Sequence, residues 1–239
     1  MAAGVLAPAG YFMGDQLIPP DEANPKGYFE AMEVNSINED ILASAIPAKP
    51  RGFLGKHFFS HRPAEYQRWL APLPIESHLS ANNNVTERIA NLTARQPYCF
   101  KDPRFCYTLN IWRPYLAQVG YICIFRNPFA TVTSMVKEAR RDSISRGVVF
   151  RFDEADALKV WCSMYEHVLR EEYRRDEHWL FINYDQFIDG SALSRIGALL
   201  GVSTDEKFID SKYQRSGNFS SVPREAAPIF ERLCELSRL

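Results

Sequence analysis

A chain of 239 residues with 46% hydrophobic and 24% charged residues has the make-up of an ordinary globular domain, which excludes disordered, collagen-like and low-complexity classes. Its 28 Lys and Arg against 29 Asp and Glu leave a net charge of −1, which argues against a general nucleic-acid binder. The length fits one domain over residues 1–239, and burying about 70% of the unfolded surface needs no disulfide or metal staple.

In chain order, Ala2–Pro8 reads as the end of a helix, broken at Pro8 and Gly10, with no N-cap residue ahead of it. Gly14–Gly27 is a Pro/Gly/Asp-rich loop, followed by Tyr28-Phe29-Glu30. Asn35 or Ser36 caps a predicted helix through Ile46, because Ile37, Ile41, Leu42 and Ala45 recur at helical spacing. Pro47–Pro74 predicts loops with a short helix near Pro63–Leu70. A helix opened by Asn84 or Thr86 ends near Arg95, before Pro97. Tyr98-Cys99-Phe100-Lys101 reads as a buried strand, and Phe105–Leu116 as a helix that Pro114 must kink or break.

Tyr121–Phe125 is continuously apolar and bounded by Gly120 and Arg126-Asn127-Pro128, the signature of a buried strand. Pro128 suits the first position of a helix running to about Arg141. Asp153 caps a long helix to about Arg175, Trp179–Ile182 is a third strand, and Leu193–Leu200 is a helix ended by Gly201. Arg224–Leu236 closes the chain as a helix.

The cysteines Cys99, Cys106, Cys123, Cys162 and Cys234 form no C-x-x-C pair, so reduced thiols and a cytoplasmic setting are expected. Asn-x-Ser/Thr triplets at Asn84, Asn91 and Asn218 read as chance matches without a secretory signal. No apolar run reaches the roughly 18 residues of a membrane span.

Strands separated by long helices imply an α/β fold, with a central parallel sheet in a three-layer sandwich. Ligands of such folds sit at the carboxyl ends of the strands. Three polar groups fall there: Lys101-Asp102-Pro103-Arg104, Arg126-Asn127-Pro128 and Asn183-Tyr184-Asp185.

These residues are familiar. YICIFRNPFATVTSMVKEA (Tyr121–Ala139) resembles the 3′-phosphate-binding strand, loop and helix of sulfotransferases that use 3′-phosphoadenosine 5′-phosphosulfate (PAPS). YCFKDPRF (Tyr98–Phe105) resembles the strand just upstream in the bacterial and Golgi-like members of that family. NPKGYFEAMEVNSINEDIL (Asn24–Leu42) resembles their N-x-x-G-[YHF]-x-E segment and following helix, and FINYDQFI (Phe181–Ile188) their strand and Tyr-acidic turn. The resemblance spans most of the chain and implies a P-loop nucleotide-hydrolase-like fold of the sulfotransferase type.

Carried over, the resemblance makes Arg126 and Ser134 ligands of the cofactor 3′-phosphate. Their chemistry suits that role, since a guanidinium offers paired donors and a hydroxyl adds another. Lys101 would contact the transferring sulfuryl group, and Glu30, with Glu33 second, would take the acceptor proton. The histidine base of many cytosolic members is absent, its position being Pro103. Arg104 would serve the acceptor or Asp102, Tyr184 would lie near the adenine, and Arg215 in a late loop would close over the 3′-phosphate. PAPS is the implied co-substrate, with a small-molecule or glycan hydroxyl as acceptor, and no metal. Read without the family, Arg126-Asn127-Pro128 is also a polar turn, Lys101 a partner of Asp102, Glu30 a local salt bridge and Tyr184 a core residue.

One motif of the family is missing. Its 5′-phosphosulfate loop, roughly Gly-x-x-[RK]-Ser-Gly-Thr-[ST], holds a phosphate on backbone N–H groups, and no Ser-Gly-Thr occurs in these 239 residues. Met1–Phe12 resembles the helix after that loop, so the expectation is a fold lacking its first strand. Three functions remain open: a PAPS sulfotransferase, inactive as it stands or not; a non-catalytic nucleotide- or carbohydrate-binding remnant; and a P-loop kinase. The kinase lacks both its Gly-x-x-x-x-Gly-Lys-[ST] loop and a magnesium-binding aspartate. Pro47–Leu79, rich in aromatics and proline, reads as an acceptor-facing lid or as packing on the core.

Overall fold

The structure, a computed structural model, describes residues 2–22, 24–146, 150–172, 178–209 and 221–238. After a 3-10 helix over Ala2–Ala9 come α1 (Met32–Leu42), α2 (Gly52–His57), a 3-10 turn over Glu65–Leu70, and α3 (Asn83–Thr93). Next, α4 (Phe105–Trp112) continues as a 3-10 turn over Arg113–Tyr115, where Pro114 lacks the donor an α-helix would need. β1 (Gly120–Phe125) then feeds α5 (Pro128–Arg146), and α6 (Glu154–Glu172) precedes β2 (His178–Asn183). The chain ends in α7 (Tyr184–Ile188), α8 (Leu193–Leu200) and α9 (Ala227–Leu236).

Two helix starts, those of α1 and α3, differ from expectation, and two other helix termini match it. α1 starts at Met32, three residues before Asn35, because the Met32 N–H finds the Gln16 carbonyl at 2.9 Å. α3 is capped by Asn82, whose Oδ1 accepts the Val85 N–H at 3.0 Å. Asp153 caps α6 as its position predicts, accepting the Asp156 N–H at 2.9 Å. Gly201 ends α8 with φ of 66°, the left-handed conformation that glycine adopts freely.

β1 and β2 pair in parallel, Gly120 opposite His178 and Phe125 opposite Asn183. Ile122, Ile124, Leu180 and Ile182 pack with Val5, Leu6 and Ile196 on one face. Cys123, Phe125, Trp179 and Phe181 pack with Trp161 and Leu233 on the other. Helices therefore cover both faces of the sheet.

The third expected strand is not formed. Tyr98–Lys101 is half-buried and extended, and its ladder is a single parallel bridge from Tyr98 to Phe12. Pro97 and Cys99 exhaust the hydrogen bonds to Phe12, and a cavity separates the segment from β1. Without a neighbour at about 4.8 Å, an apolar run stays extended but builds no ladder. Among the described residues, the fold is a mixed helix and strand one whose parallel sheet has two strands, against the three expected.

A candidate active site at the strand ends

The register of β1 and β2 delivers Arg126 and Tyr184 side by side, one residue past each strand. The Arg126 guanidinium carbon lies 4.5 Å from the centre of the Tyr184 ring, a cation–π contact. Burial pushes the Tyr184 hydroxyl pKa up, and the Arg126 charge pulls it back. Both turns are self-capped: Asn127 Oδ1 accepts the Phe129 N–H at 2.9 Å, and Asn183 Oδ1 the Asp185 N–H at 3.1 Å. Those caps hold the turns, leaving Arg126 half-buried at the start of α5.

Glu30 and Lys101 come together from positions 71 residues apart, Lys101 Nζ donating to Glu30 Oε1. Phe29, with φ of 54°, turns the chain, and the Glu30 carbonyl accepts the Ile18 N–H at 2.8 Å. The Glu30 side chain is 11% exposed and that of Lys101 42%, so the lysine is the half open to a ligand. Glu30 Oε2 accepts from Asn35 Nδ2 at 3.2 Å. Glu33 points elsewhere, to Arg88 Nε at 2.5 Å.

Behind this pair lies a buried ionic network. Arg104 Nη1 donates to Asp102 Oδ1 at 3.1 Å and Arg104 Nε to Glu39 Oε1 at 2.7 Å, while Arg68 Nη1 meets Glu39 Oε2 at 3.0 Å. Burial pushes the Asp102 carboxyl up, Arg104 pulls it back, and the nearby Glu30 charge adds to the push. Arg104 is therefore a buried anchor between two carboxylates, the second of the two roles expected for it.

Ser134 sits on the exposed side of α5, and no hydrogen bond joins it to Arg126 among the described residues. Arg126 follows β1 and Ser134 lies on α5, the helix that opens two residues after it. Arg215 lies outside the described residues. Lys101 and Tyr184 line the same cavity, which links the Glu30–Lys101 pair to the Arg126–Tyr184 pair. Among the described residues no group of three or more His, Cys, Asp or Glu is placed to hold a metal ion. Nor is any described helix long and apolar enough to cross a membrane.

Two features escaped the sequence. From sequence, Asn35 or Ser36 is a candidate helix cap, and the hold of Asn35 on Glu30 leaves no signal in spacing. Asn38 did leave one, a polar residue on the apolar stripe Val34, Ile37, Ile41, Leu42; its buried Oδ1 accepts from Thr108 Oγ1 and Trp112 Nε1, each at 2.8 Å.

No family model matches the chain, and neither does any curated protein. A solved sulfotransferase domain from the curacin biosynthetic pathway is similar at 16% identity and a TM-score of 0.44. That similarity covers 63% of this chain and 68% of the other.

Proposed function

We propose that this chain is a PAPS-dependent sulfotransferase domain acting on a hydroxyl of a small molecule or glycan. The observation that carries the reading is the contact between Glu30 and Lys101. Two distant motifs, each resembling a family segment with a reacting role, meet in one ion pair. Glu30 would take the acceptor proton as the acceptor oxygen bonds to sulfur and the bond from sulfur to the phosphate oxygen breaks. Lys101, the more exposed partner, would turn its ammonium toward the charge that develops on the sulfuryl group and leaving oxygen. Arg126 and Ser134 would hold the 3′-phosphate, with Tyr184 beside the base and Arg215 closing over the phosphate.

The absence of Ser-Gly-Thr from these residues favours a second reading, binding without turnover, which a direct transfer assay separates from the first. The free cysteines support a cytoplasmic setting.

Titration of adenosine 3′,5′-bisphosphate tests the cofactor site. Arg126→Ala should weaken binding by about 1.5–3 kcal/mol, the range for a hydrogen bond to a charged group. Equal affinity in the two proteins would remove Arg126 from the site.

A further inference from the structure

Between Asp40 and Glu65 the chain has no acidic residue, and it places Lys49, Arg51, Lys56, His57, His61 and Arg62 there. The structure closes part of this stretch into one loop. The Lys49 N–H donates to the Pro63 carbonyl at 2.9 Å, so the two ends of Lys49–Pro63 meet. Ser60 is buried, and its carbonyl accepts the Arg151 N–H at 2.8 Å, which ties the loop to the rest of the molecule. Within the loop α2 packs on the Pro50 carbonyl so closely that Gly55 has no room for a Cβ. A compact surface loop with joined ends is of a kind that often carries function.

The apolar side chains of this loop face solvent. Phe53 is 70% exposed, Leu54 57% and Phe58 64%. The Phe53 ring lies 4.4 Å from the His57 ring and 6.3 Å from the Phe58 ring, so these side chains form one patch. Arg62 stays with them, its guanidinium carbon 4.5 Å from the centre of the neighbouring Phe59 ring. An apolar patch rimmed by polar groups marks an interaction surface.

Size and charge decide the partner. Three such side chains offer roughly 350 Å², under half of the roughly 800 Å² per partner in a stable protein interface. A bilayer sets no such minimum, because each apolar side chain that enters the headgroup boundary adds its own gain. The rim is cationic, although the whole chain has a net charge of −1. Arg51 meets Glu65 at 3.3 Å, an exposed pair that a lipid phosphate can replace at little cost.

We propose that this loop docks the protein on a membrane surface rich in anionic phospholipid. Phe53, Leu54 and Phe58 enter the headgroup boundary while the Lys and Arg side chains meet the phosphates. Neither signal holds a protein firmly alone, and each cation near the surface tightens binding about fivefold. The inference rests on the loop and stands or falls apart from sulfuryl transfer.

The test is co-sedimentation of the full chain with vesicles. Phosphatidylcholine with about 30% phosphatidylserine should bind it at least about tenfold more tightly than phosphatidylcholine alone. Raising sodium chloride from about 0.1 M to about 0.5 M should shrink that preference. Phe53→Ser with Phe58→Ser should weaken binding to the anionic vesicles at least about tenfold, and Arg51→Gln with Lys56→Gln by a similar factor. Because both rings are exposed, the serine variant's melting midpoint should stay within about 2 °C of the parent's. Phe53→Trp with Phe58→Trp should bind at least as tightly as the parent. Equal affinity for the two vesicle compositions, no binding to either, or full binding by the serine variant would overturn the proposal. So would a chain that pairs with a second copy through the patch and leaves vesicles unbound.

Discussion

Glu30→Gln should slow sulfuryl transfer by about 10²–10⁴-fold, the span that general-base catalysis contributes. The measurement compares sulfuryl transfer from PAPS to a hydroxyl acceptor in the parent and variant chains, where positioning of the acceptor is the same in both. Glutamine keeps the size of the side chain and its hydrogen bond from Asn35, and removes the carboxylate that accepts a proton. Lys101 loses a charged partner, but its side chain is 42% exposed, so water takes over and the fold stands. Affinity for adenosine 3′,5′-bisphosphate should barely change, because Arg126 and Tyr184 form a separate contact pair. Full rate in the variant would move the base elsewhere. Glu33 is the poorer substitute, since its carboxylate is engaged by Arg88.

The largest effect on folding should come from Arg104→Met. Its side chain is 6% exposed and lies between Asp102 and Glu39, whose side chains are 0% and 11% exposed. Removing the guanidinium strands the buried Asp102 carboxylate and leaves Glu39 with Arg68 as its one cation, a change that costs about 3–5 kcal/mol. In a chain of this length the melting midpoint should fall by roughly 6–20 °C.

The sign of the pH dependence follows from the same residues. Burial already pushes the Asp102 and Glu39 carboxyls up, and Arg104 is the main opposing charge on each. Without it both rise further. A carboxyl raised in the folded state contributes stability that is complete below the unfolded pKa and is lost as pH rises through the folded one. The variant should therefore lie closer to the parent at pH 5 than at pH 7.5. A gap between the two melting curves that is the same at both pH values would rule out stranded carboxylates as its cause.

How much of this was legible depended on whether the governing contacts were local. β1, β2 and α8 were readable because a continuous apolar run and a left-handed glycine carry their own signal. Tyr98–Lys101 carried the same apolar signal and is no strand, because a ladder needs a neighbour that composition cannot supply. The Glu30–Lys101 pair was named as two candidates, yet their contact depends on the turn at Phe29, whose positive φ no residue type announced. The sequence offers Arg104 two roles for a related reason. Glu39 lies far away in the chain, and only the packing of α1 against α4 brings it to the guanidinium.

The most direct test of the central claim compares the parent chain's binding of adenosine 3′,5′-bisphosphate and adenosine 5′-monophosphate by calorimetry. The two ligands differ by the 3′-phosphate alone. If Arg126 and its neighbours recognise that group, the bisphosphate should bind roughly 10–100-fold more tightly, as charged hydrogen bonds of about 1.5–3 kcal/mol require. Equal affinity for the two nucleotides, or no binding of either, would contradict the sulfotransferase reading.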